Sequence, residues 1–200
     1  VIRDFRLDPL RLLSLVEANA TDLSPCQPGN VREMLEQIDK TSGVLYKTLV
    51  NVVDANGATD ALRAGAHVAR AFGISRMLGS LPSDVNAGRN YLPRDICQRE
   101  GVTTNDIKKL GAAEPLPNKI IEVIRAVVDV GTDELLKGRG FRKDINPLVR
   151  TVLLPATLAG QDFIALRAER FDPRRMRPRR LGLGPFSMLK LWWNARRGLY

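Results

Sequence analysis

Apolar residues recur at helical spacing along most of the chain, whereas the alternating pattern of a β-strand is almost absent. Asp8-Pro9 predicts the start of a first helix, because an N-cap followed by proline at the first helical position favours initiation. A second helix is predicted over 30–54, ended by Asn56-Gly57. Its expected apolar side consists of Val31, Leu35, Ile38, Leu45, Leu49 and Val52.

The rest of the chain is also predicted to be helical. The expected helices span 59–79, 94–100, 104–110, 117–137 and 145–170, followed by a last amphipathic helix from 185. Gly138 and Gly140 mark the end of the long helix that starts at 117. Pro155 lies inside the 145–170 helix, and we expect a kink there. The pattern therefore predicts an all-α fold.

Length and composition indicate one domain over residues 1–200. The chain is 44% hydrophobic and 26% charged, which is typical of a globular protein with a core. Its two cysteines and single histidine exclude a disulfide framework and a histidine-rich metal site. No apolar run reaches the length of a membrane span. Because the chain begins at Val1, we expect further N-terminal helices or a targeting sequence to precede it.

Positive charge is concentrated near the C-terminus, in a basic amphipathic tail over 174–200. The net charge of the chain is +9, and residues 167–200 carry ten Arg or Lys against Glu169 and Asp172. Phe186, Leu189 and the two tryptophans can form the apolar side of the last helix, so an anionic membrane surface is a candidate partner. The candidate membrane or anion contacts are Arg174, Arg175, Arg177, Arg179, Arg180, Lys190, Trp192, Trp193, Arg196 and Arg197.

An alternative is that this helix packs on the domain with its arginines in solvent. A docked helix should bury both tryptophans, whereas a membrane-binding helix should leave at least one exposed. Nucleic-acid binding is disfavoured, because Trp192 and Trp193 are adjacent rather than spaced as stacking platforms and no RNA-binding motif accompanies them.

Two motifs carry a family resemblance. The segment GRNYLP at 88–93, together with LLPATLAGQDFIALRAERFDP at 153–173, resembles the squalene/phytoene synthase family. The family signature is formed by Gly88, Arg89, Tyr91, Leu92 and Pro93. The resemblance implies an all-α isoprenoid synthase fold of which this chain is roughly the C-terminal two thirds. Active members join two prenyl diphosphates head to head with Mg²⁺.

That chemistry needs carboxylates that hold Mg²⁺ against the departing diphosphate. Counting back from Tyr91, the family's glutamine, asparagine and two aspartate positions fall on Gly73, Arg76, Ser80 and Asp84. Only Asp84 keeps the expected residue, and it is the one metal ligand that an active enzyme would retain here. Pro82 should also bend this helix. The resemblance predicts that these four positions line a central cavity, while a first aspartate motif would precede Val1.

For each of these residues, a purely structural role is the alternative interpretation. Asp84 can be a solvated or capping carboxylate beside Gly88, Arg89 can hold the loop, and Tyr91 can pack beneath it. Arg76 can bind an anion in place of a metal, although an exposed or salt-bridged arginine is the simpler interpretation.

One branch of the family, NADH dehydrogenase (ubiquinone) complex I assembly factor 6, matches these departures better than the synthases do. It resembles this chain in the Tyr91–Cys97 segment and in its aromatic, basic C-terminus, and it lacks the metal-binding aspartates. The resemblance implies a non-catalytic protein that acts in complex I assembly, with complex I subunits or other assembly factors as partners and no cofactor. A prenyl lipid is a further candidate ligand. The expected location is the matrix side of the inner mitochondrial membrane, or, for a bacterial relative, the cytoplasm beside the membrane. The alternative is an active, Mg²⁺-dependent head-to-head prenyl transferase.

Overall fold

The computed structural model describes residues 13, 15–17, 27–54, 59–112, 115–176 and 185–200, with side chains in the last segment from Met188 onward. The regular elements within these ranges are all helical, which confirms the predicted fold class. The α-helices are α1 Val31–Ile38, α2 Val44–Val53, α3 Thr59–Asn86, α4 Arg94–Arg99, α5 Thr104–Lys108, α6 Asn118–Gly140, α7 Pro147–Val152, α8 Pro155–Ala168 and α9 Pro185–Arg197. Among the described residues, no helix combines the length and apolarity needed to cross a membrane.

The predicted 30–54 helix is interrupted by a π-helical turn, Asp39–Gly43, between α1 and α2. Its start is confirmed, since the Asn30 side chain accepts a hydrogen bond from the Glu33 backbone N–H. The π turn shifts the helical phase, because each of its hydrogen bonds spans one residue more than in an α-helix. The apolar side predicted for α2 is therefore wrong by one position. Tyr46 and Val50 are buried, whereas the neighbouring Leu45 and Leu49 are exposed.

Helix α3 lies at the centre of the fold and packs against α6, α8, α2 and the π turn. Small residues allow these close approaches: a Cβ added at Gly131 of α6 would lie 2.5 Å from the Phe163 ring of α8. The predicted end of α3 at Gly79 is wrong, because the helix continues through Pro82 to Asn86. Near this proline, the Ser80 and Ser83 hydroxyls donate to the backbone carbonyls three residues earlier.

The later helices agree with the sequence except at Pro155. Helix α6 ends at Gly140, as the two glycines predicted, and α5 begins with a capping box between Thr103 and Asp106. Residues 145–170 form two helices rather than one kinked helix. Leu153 and Leu154 form a turn, and Pro155 is the first residue of α8, where its missing N–H costs no helical hydrogen bond.

A buried carboxylate joins α3 to α6. Glu134 is 5% exposed, and its Oε2 lies 2.8 Å from His67 Nδ1 and 3.5 Å from an Arg70 nitrogen. Arg70 also makes two hydrogen bonds to Asp39 in the π turn, at 2.9 and 2.7 Å. The network therefore ties the π turn to the two longest helices of the core.

Several predicted features lie outside the described residues. These are the Asp8-Pro9 helix start, the Asn56-Gly57 helix end, the side chain of Phe186, and Arg177, Arg179 and Arg180.

Candidate functional site

The four positions that correspond to the family's metal-binding helix lie on α3, but they have different environments. Arg76 and Ser80 are exposed, and Gly73 is half-buried against the Ile38 side chain of α1. A side chain at Gly73 would overlap Ile38, which explains why a glycine occupies this position. Within the described ranges Arg76 and Ser80 face solvent, and the shared central cavity stays a prediction.

Asp84 is buried and bonded to the signature arginine. The carboxylate is 8% exposed, and its Oδ1 accepts hydrogen bonds from Arg89 Nη2 at 2.6 Å and Nε at 3.2 Å. The Arg89 backbone N–H also donates to the Asp84 carbonyl at 2.8 Å. Between them Gly88 adopts φ +78°, a conformation that other residues rarely reach. The pair therefore closes the end of α3 onto the loop that follows.

The remainder of the signature loop is fixed by buried side chains and backbone hydrogen bonds. The Leu92 and Pro93 side chains are buried, and Pro93 occupies the N-cap position of α4. The Asn90 side chain accepts from the Leu92 N–H, and Gln27 Nε2 donates to the Leu92 carbonyl at 2.9 Å. These contacts join the loop to the residues that precede α1, as a structural role for the signature requires.

The Asp95-Ile96-Cys97 segment lies in the first turn of α4 and contains both buried and exposed residues. Ile96 and Cys97 are buried, while Arg94 and Asp95 are exposed. Burial, aided by the charge of Asp95, raises the pKa of the Cys97 thiol to about 11. The thiol is therefore protonated at neutral pH and lacks the character of a nucleophile.

The residues at this site do not fit a Mg²⁺–diphosphate centre. Asp84 is the one carboxylate among the four positions, and the Arg89 guanidinium already bonds to its Oδ1. The guanidinium would repel a cation brought to this carboxylate. Within the described ranges, no three His, Cys, Asp or Glu side chains are grouped so that they could hold a metal ion.

Sequence reasoning missed a polar contact on the inner side of α3. The buried Ser75 hydroxyl donates to Asp162 Oδ2 of α8 at 2.5 Å. Asp162 stands in the GQD part of the second motif, where a polar residue in a largely apolar helix marks the position but does not identify Ser75 as its partner. The contact holds α3 and α8 in register.

Helix α9 is attached to the rest of the protein by one side and by its C-terminal residues. Asn194 Nδ2 donates to Thr157 Oγ1 at 2.9 Å, and Arg142 Nε donates to the Gly198 carbonyl at 3.0 Å. Tyr200 is 4% exposed, and its hydroxyl donates to the Gly138 carbonyl at 3.0 Å. Burial raises the pKa of this hydroxyl to about 12.

Both tryptophans of α9 remain outside this contact. Trp192 is 53% exposed and Trp193 is 48% exposed. The Arg196 guanidinium lies 5.2 Å from the Trp192 ring centroid, and the Arg197 guanidinium lies 4.3 Å from that of Trp193. A helix can thus be docked and still expose both tryptophans, which the sequence-based alternatives did not anticipate.

Arg174 and Arg175, which precede α9 in the chain, form ion pairs with carboxylates of the protein itself. Arg174 makes hydrogen bonds to both carboxylate oxygens of Asp172, at 2.9 and 2.8 Å, and donates to the Ala112 carbonyl. The more exposed Arg175 lies 3.6 Å from Asp172 and 3.9 Å from Glu169. Arg174 therefore has a structural role in anchoring the segment after α8.

The arrangement of helices around α3 is that of an all-α isoprenoid synthase. The chain belongs to the squalene/phytoene synthase family, whose model matches residues 1–183. None of the curated proteins matches the sequence.

Solved structures share this fold at low sequence identity. Squalene synthase HpnC from Alicyclobacillus acidocaldarius superposes with a TM-score of 0.76 at 18% identity, over 86% of this chain and 64% of that one. A dehydrosqualene synthase in complex with ligand gives 0.77 at 14% identity, over 94% and 64%. YisP from Bacillus subtilis subsp. subtilis strain 168 gives 0.76 at 17%, over 95% and 73%. The chain thus covers 64% of the length of the first two.

Proposed function

We propose that this chain is a non-catalytic member of its family that acts in the assembly of respiratory complex I. The observation that carries the absence of catalysis is the Asp84–Arg89 pair. An aspartate that binds Mg²⁺ must direct its oxygens towards the metal, whereas Asp84 accepts two hydrogen bonds from an arginine in the adjoining loop. With Gly73, Arg76 and Ser80 at the other positions, the helix retains its structural role and lacks the ligands.

The assembly role is supported by the Tyr91–Cys97 segment and by the C-terminal residues that resemble complex I assembly factor 6. The proposed partners are complex I subunits or other assembly factors. The proposed place of action is the matrix side of the inner mitochondrial membrane, or the cytoplasmic side of the membrane in a bacterium. Arg94 and Asp95 are exposed beside the buried Ile96 and Cys97, so this turn offers polar groups to a partner.

Deletion of the gene in its source organism tests the assembly role. We expect a loss of fully assembled complex I on native gels and an unchanged content of squalene and phytoene. Asp84→Asn should restore complex I to the extent that the variant accumulates, because the carboxylate has no metal to bind. A deletion strain that keeps complex I and loses a prenyl product would contradict the proposal.

The second candidate is an active head-to-head prenyl transferase, and the observation in its favour is the fold shared with a squalene synthase and a dehydrosqualene synthase. The purified full-length protein, incubated with farnesyl or geranylgeranyl diphosphate, Mg²⁺ and NADPH, separates the two. We expect no consumption of substrate. Turnover that Asp84→Ala abolishes in a folded variant would establish the enzyme instead.

A further inference from the structure

The outward half of α9 forms an apolar and basic surface. At about 100° per residue, Leu189, Trp192, Trp193 and Arg196 fall within roughly 100° of arc around the helix. All four side chains are exposed, and Met188, Lys190 and Arg197 flank them, also exposed. We define this set as the α9 outer face: Met188, Leu189, Lys190, Trp192, Trp193, Arg196 and Arg197.

The opposite side of α9 is already used. Leu191 and Asn194 are half-buried, Asn194 bonds to Thr157 of α8, and the buried Tyr200 bonds to the Gly138 carbonyl at the end of α6. A rotation that buried the tryptophans against the body would break these contacts. The attachment therefore fixes the direction in which the α9 outer face points.

We propose that the α9 outer face binds the surface of an anionic lipid bilayer. Tryptophan combines a large apolar ring with a polar N–H and is enriched where hydrocarbon meets water. Arginine can keep its charged end at the headgroups while its stem covers apolar surface. Residues 185–200 contain three basic and no acidic side chains, so the face carries charge complementary to anionic headgroups.

The two stacked pairs fit this partner better than an apolar groove on another protein. Each guanidinium lies over a tryptophan ring, yet in the described part of the chain no carboxylate forms an ion pair with Arg196 or Arg197. Their positive charge is therefore available to a lipid phosphate while the rings enter the interface. Arg174, by contrast, forms an ion pair with Asp172. The proposed lipid contact is therefore smaller than the basic tail as a whole.

Intrinsic fluorescence provides a direct test, because Trp192 and Trp193 are the two tryptophans of the chain. Phosphatidylcholine vesicles with cardiolipin should shift the emission of the purified chain to shorter wavelength, and pure phosphatidylcholine vesicles at equal salt should not. In vesicle sedimentation, Arg196→Gln/Arg197→Gln should weaken binding to the anionic vesicles roughly 30-fold. Trp192→Ala/Trp193→Ala should weaken it as well, with helical content retained.

Matched controls separate this face from general basicity. Arg32→Gln/Arg99→Gln removes the same net charge from exposed positions on α1 and α4, and should leave a much larger share of the binding. Ile164→Ala removes an apolar side chain that is 64% exposed on α8 and should have no effect. Three results would each overturn the proposal. The first is equal binding to both vesicle types, and the second is an equal loss of binding in the two double arginine variants. The third is self-association in sedimentation velocity through which a second copy of the chain buries the tryptophans. The assay contains no complex I and no prenyl diphosphate, so its failure would leave the proposed function standing.

Discussion

The signature loop and helix α9 use arginine in opposite ways. Arg89 lies against the buried carboxylate of Asp84, and its positive charge is compensated inside the protein. Arg196 and Arg197 lie over exposed tryptophans. The loop follows the helix that corresponds to the metal-binding helix of active family members. Here the Asp84 carboxylate of that helix and the Arg89 guanidinium of the loop face each other. In the described part of the chain, the Asp84–Arg89 pair closes the signature loop, whereas the Arg196 and Arg197 side chains remain exposed on α9.

The largest effect is expected where a carboxylate is most deeply enclosed. Glu134→Ala should lower the free energy of unfolding by about 3 kcal/mol, because it leaves His67 and Arg70 without their buried partner. Urea unfolding followed by circular dichroism measures this change. Glu122→Ala, which breaks a half-exposed pair with Arg125 on the same helix, is the control and should cost about 0.5 kcal/mol or less. Similar values for both variants would contradict an inward-directed network.

Tyr200→Ala should have the next largest effect, confined to the attachment of α9. Removing a buried aromatic ring and its hydrogen bond to Gly138 should cost about 2–3 kcal/mol in the free energy that holds this helix in place. Hydrogen exchange of the α9 amides should accelerate while exchange in α3 stays slow. Tyr200→Phe keeps the ring and should cost about 1 kcal/mol. Equal acceleration in α3 and α9 would mean that the helix is not a separate unit.

Asp84→Ala should lower the free energy of unfolding by about 1–2 kcal/mol. The value is smaller than for Glu134, because the Arg89 side chain is 40% exposed and water can solvate it once its partner is removed. Asp129→Ala, which breaks an exposed pair with Arg167, is the matched control and should change stability by about 0.5 kcal/mol or less. An increase in the free energy of unfolding on Asp84→Ala would contradict the structural role. It would mean that the native carboxylate destabilises the fold, as expected for a functional ligand.

The sequence was sufficient for the fold class and for most helix positions, because long apolar patterns and caps such as Asn30 and Thr103 act locally. It failed at the π turn, where one additional residue moved burial from Leu45 and Leu49 to Tyr46 and Val50. No local pattern marked that turn. Its Asp39 is bonded to Arg70, which is distant in sequence.

The candidate site was predicted in part for the same reason. The degenerate positions and the structural role considered for Arg89 followed from the signature, since Asp84 and Arg89 lie five positions apart in the sequence. The Ser75–Asp162 contact and the Tyr200 attachment involve residues far apart in sequence, and periodicity carries no information about them. The exposure of both tryptophans likewise depends on which side of α9 meets Thr157.

Acid should weaken a third inward-facing carboxylate, Asp106, in the capping box of α5. Lys119, at 2.5 Å, and Thr103 hold its pKa well below the usual range. A lowered folded-state pKa means that the stabilisation is complete above the unfolded value of about 3.9 and is lost as pH falls through the folded value. Urea unfolding of wild type and Asp106→Asn should differ most near neutral pH and converge in acid below about pH 4. A difference that stays constant with pH would show that the amide loses only hydrogen-bond geometry.

The smallest effect on stability should come from the largest side chains in the comparison. Trp192→Ala and Trp193→Ala each remove an exposed ring and its stacked arginine contact, so each should change the free energy of unfolding by about 0.5 kcal/mol or less. Urea unfolding measured by far-ultraviolet circular dichroism provides the value without relying on tryptophan emission. A loss as large as that expected for Tyr200→Ala would mean that the rings pack within the fold. Suppose that the two tryptophan substitutions leave the free energy of unfolding almost unchanged while Asp84→Ala lowers it clearly. The tryptophans then have no role in folding, and their exposure is explained by what they bind.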